Sequence, residues 1–257
     1  MRLQPTRTNP DRSSANYAAM PRPPAVSLRC RHDGSWIGTM LRFAEEILLL
    51  LLRDDDGKLI HVPERTLDRV IAGSVLMDLA MENRIDTDLE KLVLIDATPI
   101  GDGLLDPTLA QIAAQQSESD ARHWVEFVAS RAEGIREEAF ARLVDQGILE
   151  RKDDRHLWVF RSRRYPMVDG KAEREVKLRI MGVLFSDEIP SPRDIVIIAL
   201  ADACGIFGEL LSKAELEQAT PRIEQVRKLD LIGQAMTQAI RDIEMWLASS
   251  TVSRFML

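Results

Sequence analysis

The chain has 257 residues, 45% of them apolar, with 34 basic residues against 41 acidic ones and a net charge of −7. That content suffices for one large core or two small ones, and the acidic balance disfavours general charge attraction to nucleic acid. The apolar runs are too short or too interrupted to cross a bilayer, and Cys30 and Cys204 build neither a disulfide framework nor a metal site.

Residues 1–39 hold Pro5, Pro10, Pro21, Pro23 and Pro24, six arginines and two acids, without apolar periodicity. The expectation is a disordered tail, with Met40 as an alternative translation start and residues 40–250 as one domain. Without the tail, residues 40–257 carry a net charge of −11. No secretory leader is recognisable, so the cytoplasm is the expected compartment. The segment LRFAEEILLLLLRDDDGKL opens the domain as a helical turn or strand ending at the acidic turn Asp54–Gly57. Three consecutive Asp before a Gly lack the alternating carboxylates of a calcium loop, so a solvated turn is expected.

Leu67, Val70, Ile71, Val75 and Leu79 recur at helical spacing, and Leu76, Met77 and Ala80 widen that stripe into a buried central helix over 67–82. LVLIDA (92–97) reads as a strand. The loop TPIGDGLLDPTL then leads into a helix with Asp106 as N-cap and Pro107 at its first position. Gly101 and Gly103 lack the third glycine of a nucleotide-binding turn. Two helices follow, one lined by Trp124, Phe127 and Val128, the other by Ile135, Ala139 and Leu143, with Gly147 as the C′ residue. Ser191, Pro192 and Asp194 start a helix over DIVIIALADACGIFGELL, and Thr220 with Pro221 reads as the start of a last one carrying Ile232, Met236, Ala239, Ile243 and Trp246. The expected fold is mainly α: a compact single-domain bundle of amphipathic helices around a buried central helix, with one or two small β-hairpins.

Between Arg151 and Arg164 this acidic chain reverses its charge. Arg151, Lys152, Arg155, Arg161, Arg163 and Arg164 outnumber Asp153 and Asp154, a local net of +4, and Trp158, Phe160, Tyr165 and Met167 are interleaved with them. LWVF and YPMV, separated by Arg161–Arg164, read as a hairpin with a cationic tip or face. Catalytic constellations are wanting. His32, His61, His123 and His156 are scattered, no metal-binding pair exists, and no serine sits in a nucleophile elbow, so neither enzyme, metal nor cofactor is expected. Three readings of the hairpin stay open on these residues. It could be the wing of a winged-helix DNA binder, although Glu133, Glu137, Glu138 and Asp145 would load the reading helix with negative charge. It could lie on an anionic membrane, with arginines at phosphates and Trp158, Phe160, Tyr165 or Met167 in the interface. It could be a packed hairpin whose arginines pair with the surplus acids.

Four stretches in order, AEEILLLLLRDDDGK, SVLMDLAMENRI, DATPIGDGLLDPTL and LVDQGILERKDDRHLWVF with its YPMV continuation, resemble the Golgi phosphoprotein 3 family. SPRDIVIIALADACGIFGELL and RIEQVRKLDL extend the resemblance over roughly residues 41–247. It implies a helical domain with a protruding hairpin, which in eukaryotic members binds phosphatidylinositol 4-phosphate on Golgi membranes and gathers glycosyltransferase tails as protein clients. The family's lipid site uses a Trp that falls near Val62 or Pro63 here, an Arg that falls on Ala72, and two Arg that fall on Glu133 and Arg136. By this resemblance Arg136 is the retained headgroup ligand, with Arg131, Arg65 and Arg69 as substitutes, in a divergent bacterial member. The expected function is a non-enzymatic peripheral membrane adaptor facing an anionic lipid through the hairpin 155–168. No nucleic acid is expected, self-association stays open, and the alternatives are a winged-helix regulator or a soluble protein-interaction module.

Overall fold

The computed structural model describes residues 40–53, 55–87, 91–115, 119–153 and 163–229. Among them nine α-helices and two short antiparallel strand pairs are seen. The mainly helical class expected from the sequence is what the chain adopts.

Helix α1 (Phe43–Leu51) is buried on every side, which is why its run of leucines shows no polar face. Helix α2 (Glu64–Met81) is the central helix that the periodicity predicts, buried without a break from Arg69 to Ala80. Against this pair pack α4 (Ala121–Ala129) and α5 (Ala132–Asp145), and against α1 also α6 (Lys171–Phe185) and α7 (Pro192–Ala203). Each fully buried Leu or Ile contributes roughly 1.5–3 kcal/mol of transfer free energy. Phe43 and the run Ile47–Leu52, all at most 1% exposed, therefore make α1 a main source of stability.

Local signals set the helix ends. Ser191 accepts the Asp194 N–H while Asp194 returns a bond to the Ser191 N–H, a capping box that starts α7 as expected. Gly147, just past the C-cap of α5, takes φ +70°, as its C′ assignment requires. Strand β2 (Leu92–Leu94) pairs with β1 (Ile85–Thr87), Ile85 opposite Leu94.

Three expectations need correction. Thr220 and Pro221 do not start a helix: α9 (Lys213–Arg227) begins at a Ser212–Glu215 capping box and runs through Pro221. The Ser212 cap satisfies the helix start and Thr220 Oγ1 bonds the Leu216 carbonyl (2.7 Å), so the helix is already established when the chain reaches the proline. The apolar segment after Ser191 is two helices, since Gly205 at φ +67° ends α7 and α8 (Ile206–Leu210) starts afresh. Asp106 lies in the first turn of α3 (Asp106–Ala114), and its carboxylate turns back to accept the N–H groups of Ile100, Gly101 and Asp102 at 2.7–3.1 Å. The DATPIGDG loop is thereby wound around one side chain.

Candidate functional site

Of the positions that the resemblance assigns to a lipid site, Arg136 lies where α5 meets the start of α2. Arg136 comes from α5 and is partly buried, its guanidinium 3.9 Å from the Asp68 carboxylate of α2. Burial pushes the Asp68 carboxyl upward, Arg136 opposes that, and Glu64 and Glu133 reinforce it. Arg69 also opposes the rise, but its guanidinium is bound to Glu126, so a phosphate approaching Arg136 meets three acids at the same place. Val62, near the Trp position, is half-buried and Pro63 is exposed. Ala72, fully buried within α2, stands where a basic residue would line the site.

The substitute arginines separate. Arg69 is a core residue, 5% exposed, whose guanidinium reaches Glu126 of α4 (3.1 Å) and the Arg65 carbonyl (3.2 Å). It ties α2 to α4, and its placement speaks against the headgroup role expected of it. Arg65 and Arg131 are exposed, without an ion-pair partner among the described residues. Arg131 lines a cleft of about 560 Å³ between α5 and Gly103–Thr108, whereas Arg136 faces α2, so the structure does not bring these two together. Exposed Glu133, Glu137, Glu138 and Asp145 on α5 give the helix before the hairpin the acidic surface that disfavours docking on DNA.

The hairpin survives with a changed register. Strand β3 (Lys152–Asp153) pairs with β4 (Arg163–Arg164), Lys152 opposite Arg164 and Asp153 opposite Arg163, and pairing continues to Leu149 opposite Met167. Arg163 and Arg164 therefore belong to the stem and not to the tip. Arg155, Trp158, Phe160 and Arg161 lie outside the described residues, as do Ile232, Met236, Ala239, Ile243 and Trp246. Tyr165 overturns its expected outward orientation. It is 8% exposed, and its ring lies parallel on Phe140 of α5, centroids 3.9 Å apart. An amphipathic ring beside an apolar one is buried more favourably than it is exposed. Met167 is half-buried against the core and lines a cleft of about 630 Å³ with Gly57, Lys152, Glu173 and Arg174. Among the described residues no grouping of His, Cys, Asp and Glu could hold a metal.

Sequence reasoning missed the largest polar assembly. At the start of α1, Arg42 binds Glu82 (2.6 Å) and Asp102 (2.8 Å), and Arg142 binds Asp102 (2.7 Å) and Glu45 (3.1 Å). Across α1, Glu46 pairs with Arg179 (3.0 Å) and Arg193 (3.4 Å), and Arg179 also holds Asp194 (2.6 Å). Asp78, 1% exposed, accepts the Phe43 N–H at 2.8 Å, and Arg42 and Arg193 stand about 4 Å from its other oxygen. Burial pushes its carboxyl up to about 7, against the pull of that N–H and both arginines. The available signal was Glu45 and Glu46 inside an otherwise apolar helix, since charges embedded in a core are found paired.

The chain matches the family of Golgi phosphoprotein 3 (GPP34) over residues 43–243. It is similar to vacuolar protein sorting-associated protein 74 of Eremothecium gossypii, 23% identical over 213 residues, which cover 69% of this chain and 63% of that protein. The chain thus matches less than two thirds of its relative's length, and the expected bacterial source is not borne out. The match takes in α1 to α9 entire, with the Asp106-wound loop and the hairpin stem that the sequence motifs encode, and this chain belongs to the Golgi phosphoprotein 3 family.

Proposed function

We propose that this chain is a non-enzymatic adaptor that attaches peripherally to an anionic lipid surface from the cytoplasmic side and presents protein clients there. Residues 40–250 are its working domain, with residues 1–39 as a tail outside it. The observation that carries the proposal is family membership over residues 43–243. The hairpin 155–168 is the membrane-facing element, with Tyr165 removed from that face by its stack on Phe140. Arg136, Arg131 and Arg65 are the headgroup contacts, and Arg69 is withdrawn because Glu126 holds it inside. Ala72 and Glu133 at the arginine positions, and Asp68 beside Arg136, favour charge-based attachment over a selective 4-phosphate pocket. Among the described residues no helix is long and apolar enough to cross a membrane, which is compatible with attachment from one side.

Flotation of the full chain with neutral, phosphatidylserine and phosphatidylinositol 4-phosphate vesicles, at low and physiological salt, tests the proposal. Binding to both anionic vesicles, weakened by salt, by Trp158→Ser and by Arg136→Ala, is the expected result. Flotation on phosphatidylinositol 4-phosphate alone would restore a selective pocket. Absence of flotation would leave a soluble interaction module, the reading that the acidic surroundings of Arg136 favour next.

A further inference from the structure

Helix α6 is packed on one side and bare on the other. It lies against α1, α7 and α9, and Val176, Ile180, Val183 and Leu184 are buried there. On the opposite face Leu178 is 70% exposed, Phe185 is 38% exposed, and Ile189, just past the helix end, is 94% exposed. Half-buried Gly182 stands between Leu178 and Phe185, with half-buried Met181 beside it. Steps of four, three and four from Leu178 through Gly182 and Phe185 to Ile189 follow one helix face. A second apolar stripe, turned away from the core, marks a helix that has a use for both sides.

The two ends of this stripe differ in charge. At its start the exposed Lys171 and Arg174 outnumber Glu175, and the Arg174 guanidinium donates to the Gly170 and Asp169 carbonyls (3.0 and 2.8 Å). At its end stand the exposed Asp187 and Glu188, the Glu188 carboxylate reaching back toward Gly182. The face is therefore complementary to itself when turned end for end, and a parallel partner would set like charge on like.

We infer that the bare face of α6 pairs with the same face of a second copy of this chain, antiparallel about Gly182. Leu178 of each copy packs on Phe185 of the other, and Arg174 of each meets Asp187 and Glu188 of the other. The missing side chain at Gly182 lets the two helix axes approach at the crossing. A helix of 15 residues is about 22 Å long and offers a face on the order of 200–300 Å², against about 800 Å² per partner in a standard stable interface. The pair is therefore reversible and concentration-dependent, with a Kd on the order of 10 μM.

Sedimentation velocity of the full chain from about 1 to about 200 μM tests the inference. Monomer should pass to dimer with no larger species, because an isologous contact closes on itself. Leu178→Glu, at an exposed position, should keep the circular dichroism spectrum and the urea midpoint. It should weaken association about a hundredfold, since each substitution enters a two-fold interface twice at about tenfold each. Arg174→Glu and Asp187→Arg should each weaken the dimer, and the two combined should restore much of it, which a merely local effect at either residue would not do. Gly182→Gln favours the single helix but holds the axes apart, so it should raise the thermal midpoint of the dilute monomer while removing the dimer. A chain that stays monomeric over this range overturns the inference. So does association that Leu178→Glu leaves unchanged, or a charge exchange that restores nothing. A loss of stability in dilute Leu178→Glu would show that residues 230–257 of the same chain cover the stripe, and would overturn it as well.

Discussion

Replacing Asp78 by Asn should make the protein more stable in mild alkali, contrary to the usual cost of removing a buried carboxylate from two arginines. In the folded chain burial holds the Asp78 carboxyl at about 7, whereas an unfolded Asp titrates near 3.9. The folded state binds the extra proton between these values, so this group's contribution is fully present below about pH 4 and is lost as pH rises through about 7. The gap between about 7 and about 3.9 corresponds to about 4 kcal/mol if expressed in full. Asn keeps the acceptor for the Phe43 N–H but can turn its amide toward Arg42 and Arg193, about 4 Å from the oxygen it replaces. Donors facing donors cost about 1–2 kcal/mol, which leaves Asp78→Asn about 2 kcal/mol more stable at pH 8.5 and level with or below the unsubstituted protein at pH 5. Urea unfolding followed by circular dichroism at both pH values reads the difference as a midpoint shift at constant slope. If Asp78→Asn is less stable at pH 8.5 by the same amount as at pH 5, then Arg42 and Arg193 outweigh burial and the reasoning is wrong.

The same network yields further expectations. Arg142→Ala strands Glu45, fully buried, and should lower stability by about 3–5 kcal/mol in urea titration, far more than the loss of an exposed arginine. Asp102 is pushed up by burial, but the Leu104 N–H, Arg42 and Arg142 together hold it below its usual range. Its stabilisation is thus present above the unfolded value and lost as pH falls through the folded one, so Asp102→Asn should be destabilised at pH 7 and show a smaller further loss between pH 5 and pH 2. Ser212→Ala removes the cap that starts α9 ahead of Pro221 and should cost about 1 kcal/mol, measurable as a lower thermal midpoint.

The sequence was most legible where one physical signal acted alone. The apolar stripe of α2 and the Ser191 cap of α7 are local properties, and both elements stand where the spacing puts them. Tyr165 was illegible because its neighbour Phe140 lies 25 positions away, and an aromatic among arginines looks the same whether it faces lipid or a helix. Arg69 misled for a related reason. Its helix face could be assigned, but its partner Glu126 comes from another element. Pro221 read as a helix start because proline favours the first turn, yet the stronger capping box begun at Ser212, nine residues earlier, had already started the helix. At the candidate site, Arg136 was placed by motif alignment, while the acids around it emerged only from the packing of α2 on α5.

Magnitudes bound how much the charge of the hairpin could contribute to the attachment proposed for this chain. Near an anionic leaflet each basic residue contributes about 1 kcal/mol, so a net of four charges supplies about 4 kcal/mol, which is millimolar attachment. The rest of the chain opposes it: residues 40–257 carry a net charge of −11 even with the hairpin included, and Asp55 and Asp56 sit beside the hairpin root. Arg136 alone, beside Asp68, adds little more. Charge alone therefore does not supply the attachment proposed for this chain, which needs apolar insertion or a specific headgroup contact beside it.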